Sequence, residues 1–143
     1  RYQQFMDDTS QFDLFKTFMV SDYHIHKSLI FSSITLQKDE FDLYRKLFNL
    51  MYQQVIQPDI YIYLHQDTER LLQNIRKRGR AYEQNIDAAY LDKINQGYMA
   101  FMKANPMLHS LTIDLGYRDF VADRTDYEWV LMQLDQQVLQ RFF

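Results

Sequence analysis

The hydrophobic pattern of this chain predicts short strands separated by long helical segments. Residues 18–20 and 60–64 are short runs of apolar, aromatic and β-branched side chains, which are typical of buried strands, and residues 108–115 read as a third strand. Strands joined by helical crossovers must run parallel. The pattern therefore predicts an α/β fold with a parallel sheet, and three strands alone would leave a sheet edge and a helix-packing face bare.

Two helices are predicted between the first and second strands, and one at the end of the chain. The first two cover about residues 25–36 and 39–57, and Pro58 would end the second because proline cannot continue a helix. Residues 125–128 read as a capping box that would open the last helix. Its inner face would carry Val130, Leu131, Leu134 and Val138.

Two further helices are predicted between the second and third strands. Asp67 can cap one of them, and Asp87 can cap the other, which Asn105-Pro106 would end. Apolar residues recur at helical spacing in both helices. These residues are Leu71, Leu72 and Ile75 in the first helix, and Tyr90, Leu91, Ile94, Tyr98, Phe101 and Met102 in the second.

Residues 75–86, which join these two helices, contain four cations, one glycine and one carboxylate. The cations are Arg76, Lys77, Arg78 and Arg80. An arginine fork is permanently charged and matches two phosphate oxygens at once, and Gly79 lets the backbone bend between two arginines. We call this segment the basic hinge and expect it to close over phosphate as a lid, although short basic runs are also common as solvated turns.

The order of strand, capped helix, basic hinge and helix resembles the deoxynucleoside kinase family of P-loop phosphotransferases. The family's lid carries R-G-R, a glutamate, an isoleucine and a Y-L pair, which match Arg78-Gly79-Arg80, Glu83, Ile86 and Tyr90-Leu91. Residues 18–31 resemble the segment that carries the family's acidic-Arg-Ser motif. The likeness is greatest to a bacterial branch with S-D-Y and K-S-L-I-F, some members of which are fused to a folate-pathway hydroxymethyl-dihydropterin pyrophosphokinase.

The resemblance implies a three-layer P-loop kinase fold and phosphoryl transfer from ATP to the 5'-hydroxyl of a deoxynucleoside. Catalysis of that reaction is mainly positioning and charge stabilisation. Arg78 and Arg80 would neutralise charge on the transferred and leaving phosphates, and Glu83 would bind the 3'-hydroxyl of the deoxyribose. Arg76 would either contact the nucleotide cofactor or stay solvated.

The acidic-Arg-Ser motif is only partly kept in this chain. Asp22 keeps the acidic position, where it would act catalytically by holding a magnesium-bound water or a phosphate-facing cation, while Tyr23 and His24 replace the arginine and the serine. Lys27, one turn later, can supply the lost positive charge near the substrate. A lysine is a point charge without the bidentate geometry of arginine, so the replacement is not equivalent.

Four more residues are implied to contact substrate or cofactor. Ser28 lies where some members carry an acid that discriminates the base, and Arg1 matches an arginine near the base pocket. Asp119-Phe120, after the third strand, resembles the loop against which the adenine of ATP lies. Backbone groups would make most of the contacts with adenine there.

No G-x-x-x-x-G-K-[ST] loop occurs in the 143 residues. That loop cradles the triphosphate in P-loop kinases, and the family carries its general base, a glutamate, in the same N-terminal half. The resemblance therefore implies that residues 1–143 are the C-terminal part of a single deoxynucleoside kinase domain. ATP and magnesium would bind mainly through the missing half.

Composition narrows the range of partners. A net charge of -3 disfavours non-specific nucleic-acid binding, and no apolar run reaches the length of a membrane span. The chain has no cysteine, which fits a reducing, cytoplasmic compartment. The histidines show no strong metal-ligand spacing, so we expect no metal site built from protein ligands alone.

Two alternatives stay open at this point. Lid arginines are shared among P-loop kinases, including those that act on nucleoside monophosphates, and a helix-rich interaction module without catalysis would also fit the composition. Glu83, three residues after Arg80, favours a deoxynucleoside acceptor, because a monophosphate acceptor would call for more cations on the sugar side.

Members of the resembled family are typically two-fold dimers built from long helices. The predicted helix 39–57 carries more large apolar residues than one face of a three-stranded remnant needs. They are Phe41, Tyr44, Phe48, Met51, Tyr52 and Val55. We therefore expect this helix to lie in an isologous homodimer interface. The alternative is that its apolar excess covers the face left bare by the missing half.

The missing phosphate-binding loop and base lead to the first prediction. Residues 1–143 by themselves should not phosphorylate any deoxynucleoside above the uncatalysed background, because nothing in them cradles the triphosphate. A coupled ATPase assay and product chromatography on purified material of verified mass would check this. Clear turnover would show that the loop and the base are dispensable.

Overall fold

The computed structural model describes residues 19–53 and 55–142. The chain divides into two compact units, Arg1–Pro58 and Asp59–Phe143. Within the described ranges, no helix combines the length and the apolar character needed to cross a lipid bilayer.

The first unit contains two helices, α1 (His26–Thr35) and α2 (Lys38–Met51). Gln37 and Glu40 form a capping box at the start of α2, in which the Gln37 amide donates to Glu40 Oε2 at 3.0 Å. The core of this unit is a cluster of Ile25, Phe48 and Val55, against which partly buried apolar residues pack. Those residues are Tyr23, Leu29, Tyr44 and Tyr52.

Helix α2 ends at Met51, earlier than its apolar pattern predicts. Tyr52 leaves helical geometry, and the amide of Val55 donates to the Tyr52 carbonyl at 3.2 Å, which turns the chain. This turn directs Val55 into the same core as Phe48. The apolar spacing thus continues past the helix because the turn, like the helix, contributes to one core.

The apolar residues expected at a homodimer interface do not form one outward face. Phe48 and Val55 are buried in the core of their own unit, whereas Met51 is exposed. Besides Met51, the outward apolar side chains of α2 are Leu43, Leu47 and Leu50, which recur at helical spacing. Phe48 and Val55 therefore do not belong to the predicted interface, and the homodimer itself stays a prediction.

The second unit alternates strands and helices. Its elements are β1 (Tyr61–His65), α3 (Thr68–Arg78), a 3-10 turn (Ala81–Glu83), α4 (Ala88–Ala104), β2 (Ser110–Asp114) and α5 (Arg124–Phe142). The two strands pair in parallel, from Tyr61 beside Ser110 to His65 beside Asp114. A parallel pair with a helical crossover confirms the mixed α/β class.

Helices pack on both faces of this small sheet, although Ile62 and Leu64 of β1 stay about 40% exposed. On one face, Leu111 and Ile113 form a buried cluster with Leu115 and with Val130 of α5. On the other face, the ring of Tyr63 stacks on that of Tyr98 of α4, with 4.8 Å between centroids. The unit therefore has helix, sheet and helix layers, and its core lies on the α5 side.

The predicted strand at residues 18–20 is not found in the described chain. Phe18 lies outside the described residues, while Met19 and Val20 belong to no strand and are 46% and 85% exposed. A strand needs hydrogen-bonding partners on a neighbouring strand. The described part of the first unit contains only helices and connecting segments, so these residues have no ladder to join.

The start of α5 also differs from the prediction. The helix begins at Arg124, and Asp123 Oδ1 accepts the amides of Thr125 at 2.7 Å and Asp126 at 3.1 Å. Aspartate is a strong capping residue, so the helix is capped at Asp123, two residues before the threonine of the predicted capping box. Val130 is buried as expected, whereas Leu131 is 41% exposed and does not belong to the inner face.

Two aspartates give a matched test of helix capping. Asp87 and Asp67 both precede a helix with extended backbone, but only Asp87 accepts a capping bond, from the Ala89 amide at 3.2 Å. Asp87→Ala should lower the free energy of unfolding by about 1 kcal/mol. Asp67→Ala should cost less than half as much, since it removes no capping bond. Urea unfolding of both variants checks this, and equal losses would contradict it.

Candidate functional site

A cleft of 570 Å³ lies at the carboxyl ends of β1 and β2. Ligands of parallel α/β sheets bind at this edge. Apolar and polar side chains share the lining: Leu64, Gln66, Asn74, Lys77, Arg78, Leu115, Arg118, Asp119, Phe120 and Val121. The cleft thus combines an apolar surface with three cations, which suits a flat apolar ring attached to an anionic group.

A hydrogen-bond network around Gln66 holds the walls of this cleft together. The Gln66 Nε2 group donates to the carbonyls of Gly116 at 3.4 Å and Arg118 at 3.3 Å, and its Oε1 accepts from Asn74 Nδ2 at 2.8 Å. Asn95 of α4 donates to the Gln66 carbonyl at 3.1 Å. One buried amide therefore joins the end of β1, the loop after β2 and helix α3.

The loop after β2 is held from its other side by Arg118. The Arg118 guanidinium lies 3.7 Å from the ring centroid of Trp129 and 3.9 Å from Asp126 Oδ1. Asp126 also accepts the amide of Asp119 at 2.8 Å. These contacts attach the loop to the first turn of α5.

An ion pair closes one side of the cleft. Lys77 Nζ donates to Asp119 Oδ2 at 2.9 Å, which joins α3 to the loop after β2. This bond from Lys77, together with the bond from the Ala122 amide, lowers the pKa of the Asp119 carboxyl below its usual range. Both side chains retain solvent access, at 71% and 30%, so the pair is open to exchange with an anionic ligand.

The basic hinge begins where α3 ends in a left-handed residue. Gly79 has φ of +70°, and its amide donates to the carbonyls of Ile75 and Arg76, both at 3.2 Å. This is a common way for a helix to end, because glycine adopts positive φ without a steric penalty from a Cβ. The turn brings Arg80 back toward the end of α3.

Glu83 forms ion pairs with both Arg78 and Arg80 of the hinge. Its Oε2 lies 2.5 Å from Arg78 Nη2 and its Oε1 lies 3.4 Å from Arg80 Nη1. The Glu83 side chain is 13% exposed, while the arginine side chains are about half exposed. Tyr82 and Glu83 raise the pKa of Arg80, which keeps it cationic. Since Arg78 also lines the cleft, the hinge and the cleft form one continuous site.

The sequence model of the family described as Deoxynucleoside kinase matches residues 1–140. The chain belongs to the deoxynucleoside kinase family. It is 31% identical over 143 residues to the deoxyguanosine kinase of Bacillus subtilis (strain 168), covering 97% of this chain and 69% of that protein. Membership of this family confirms the family assignment made from the basic hinge.

Two solved structures of a deoxyadenosine kinase from M. mycoides share the fold. The complex with bound dCTP has a TM-score of 0.66 and 24% identity, and covers 80% of this chain and 62% of its own. The complex with dCMP and a flexible dCDP has a TM-score of 0.70 and 23% identity, over 95% of this chain and 68% of its own. The present chain thus spans about two thirds of the length of these relatives.

The segment that resembles the acidic-Arg-Ser motif of the family lies in the first unit, directly before α1. Asp22 is exposed and does not cap α1, because Ile25 is the N-terminal cap and the amide of His26 donates to Nδ1 of His24 at 3.4 Å. Tyr23, in the place of the motif arginine, packs against the core cluster of its unit. Burial and the neighbouring His24 lower the pKa of His26 to about 4, so that ring is neutral near pH 7.

The other candidates of this unit lie on α1 or before it. Lys27 is exposed, with its Nζ 5.6 Å from the ring centroid of Phe31. The Ser28 hydroxyl donates to the Ile25 carbonyl at 2.7 Å, so its proton is used inside the helix. Arg1 lies outside the described residues.

Sequence patterns found part of the cleft and missed part of it. Asp119 and Phe120 line it as expected, but Arg76 is exposed and does not, whereas its neighbour Lys77 does. Helical geometry explains this, since adjacent residues point in different directions around the axis. Gln66, Asn74 and Arg118 were not anticipated, because single polar residues beside a strand or within a loop carry no spacing signal.

The Lys77–Asp119 pair predicts a local pH dependence. The lowered pKa of Asp119 gives stability that is present above its ordinary pKa and is lost as pH falls through the lowered value. Lys77→Met should raise the Asp119 pKa toward the ordinary aspartate value and shrink this acid-range loss. Carboxyl carbon NMR titration measures the pKa, and Lys93→Met, an exposed lysine of α4, is the control. An unchanged Asp119 pKa in the Lys77 variant would contradict the assignment.

Proposed function

We propose that the protein transfers a phosphoryl group from ATP to the 5'-hydroxyl of a deoxynucleoside. One observation carries the proposal: Arg78 lines the cleft at the carboxyl ends of the strands and also pairs with Glu83 in the hinge. A single cation is thus shared by the two places that a donor phosphate and an acceptor sugar would occupy. Membership of the deoxynucleoside kinase family supports the same reaction.

The cleft is the donor site in this proposal. The adenine ring of ATP lies against Phe120, with Leu64 and Leu115 as further apolar contacts, and the phosphates extend toward Lys77 and Arg78. The open Lys77–Asp119 pair supports this orientation, because a phosphate is a stronger anionic partner for lysine than an exposed carboxylate.

The hinge serves the acceptor and the transferred phosphate. Glu83 binds the 3'-hydroxyl of the deoxyribose, and Arg78 and Arg80 stabilise charge that grows on the phosphates. A carboxylate at this position repels a phosphorylated acceptor, which argues against a nucleoside monophosphate. The arginines are already held 2.5 and 3.4 Å from Glu83, so substrate binding needs only their redirection.

The resemblance to the acidic-Arg-Ser motif of the family assigns roles to three residues of the first unit. Asp22 offers an exposed carboxylate, and Mg²⁺ prefers hard oxygen ligands of this kind, directly or through water. The metal would neutralise phosphate charge when bound. Lys27 supplies a point charge near the substrate in place of the motif arginine. Because the Ser28 hydroxyl already donates within its helix, base recognition there falls to its remaining acceptor capacity.

Arg80 gives a direct test in the complete natural polypeptide that carries these residues. Arg80→Ala should lower kcat much more than it raises the nucleoside KM, with a loss of about 2–4 kcal/mol of transition-state stabilisation. Steady-state kinetics with ATP and a panel of deoxynucleosides measures both constants.

A matched control comes from helix α2. Arg45 forms an exposed pair with Asp42 at 3.2 Å and three-residue spacing, much like Arg80 with Glu83. Arg45→Ala therefore removes a similar surface pair outside the proposed site and should leave kcat unchanged. A kcat of Arg80→Ala equal to that of Arg45→Ala would refute the assigned role of the hinge.

A further inference from the structure

Gln66 is buried, and both the nitrogen and the oxygen of its side-chain amide form hydrogen bonds. Among the residues that the structure describes, it is the only polar residue that is buried, with 8% of its surface exposed. It directly follows the last residue of β1, at the edge of the sheet where the cleft opens. A polar side chain at this depth is costly unless its donors and acceptor are all satisfied.

The bonds of this side chain use both of its N–H donors and its oxygen, and they point in different directions. A glutamine amide has two N–H donors, and the two acceptors here are the carbonyls of Gly116 and Arg118. Its oxygen accepts from Asn74, which lies on α3 one turn before Arg78. The orientation of the amide is thereby fixed, because exchanging its nitrogen and oxygen would place like groups together at all three contacts.

Gln66 joins the loop after β2 to helix α3, and these two segments form opposite walls of the cleft. Arg118 is followed directly by Asp119 and Phe120, which form the apolar wall for the proposed base. Asn74 belongs to the helix whose last turn carries Lys77 and Arg78, the proposed phosphate contacts. The distance between these walls determines whether one nucleotide can reach both.

We propose that Gln66 is a positioning residue for the donor nucleotide, setting the loop at residues 116–120 against the cationic end of α3. This inference rests on the proposed function, since it assigns Gln66 to the ATP side of that site. Gln66 acts through Phe120 and Lys77 and contacts no reacting atom. Its loss therefore weakens ATP binding and leaves the chemical step and the deoxynucleoside site intact.

The test compares two substitutions of the same kind in the complete natural polypeptide. Gln66→Met keeps the length of the side chain and removes all three hydrogen bonds. Gln73→Met makes the same change at an exposed glutamine of α3 whose bond is to Arg70. Calorimetric binding of ATP and initial rates at varied ATP and varied deoxynucleoside are measured for both variants.

We expect Gln66→Met to raise the Kd and KM for ATP by about tenfold or more, since the hydrogen bonds that hold the loop against α3 are lost. Its kcat and its KM for the deoxynucleoside should stay near the values of Gln73→Met. An unchanged ATP constant would overturn the proposal. So would equal losses in all constants, which indicate a general structural role.

A second variant and the ATP-binding measurement distinguish a failure of this proposal from a failure of the proposed reaction. If Gln66→Met does not fold, Asn74→Ala removes only the bond to Oε1 and should raise the KM for ATP by a smaller factor, whereas no change would overturn the proposal. If the unsubstituted protein binds ATP but phosphorylates no deoxynucleoside, the proposed reaction fails. The effect of Gln66→Met on the ATP Kd then still decides whether it positions the nucleotide.

Discussion

The buried amide of Gln66 is the contact on which the organisation of the second unit depends. Parallel strands place their carboxyl ends at one edge, but they do not determine where the following loops go. Gln66 fixes the paths of both loops. It directly follows β1, and its side chain donates to two carbonyls of the loop after β2. Through Asn95, the same backbone position is tied to Tyr63, whose hydroxyl donates to Asn95 Oδ1 at 2.6 Å. The apolar layers supply stability, and this polar network supplies the shape of the edge.

The cations at this edge of the sheet are all paired with carboxylates. Each cation near the cleft is held by a carboxylate: Lys77 by Asp119, Arg78 by Glu83 and Arg118 by Asp126. The Lys77 and Arg78 side chains are about half exposed or more, although Glu83 is not, and ion pairs with a solvated partner contribute little to stability and cost little to open. Arg118 differs, since its guanidinium also lies on the Trp129 ring. The proposed site thus divides into two exchangeable cations that suit phosphate and one fixed cation that supports the loop.

The sequence predicted the local features of this site better than its distant ones. The cap at Asp87, the stop at Asn105-Pro106 and the glycine turn at Gly79 were predicted because each depends on neighbouring backbone groups. The early end of α2 and the cap at Asp123 were missed because competing local signals differ by only about 1 kcal/mol, and packing of residues such as Val55 decides between them. The Gln66 network joins residues 50 or more positions apart, and no periodic pattern in the sequence records such pairings.

In the first unit, packing determines where a positive charge can lie in the segment that resembles the acidic-Arg-Ser motif of the family. Where the resembled motif has an arginine, this chain has Tyr23, and the ring packs against Ile25, Phe48 and Val55. A guanidinium in that place would have to be desolvated or would have to leave the core exposed. Lys27 lies one turn later on the exposed surface of α1, where a cation keeps its hydration. This segment therefore gains apolar burial and has the point charge of a lysine in place of the bidentate cation of the family motif.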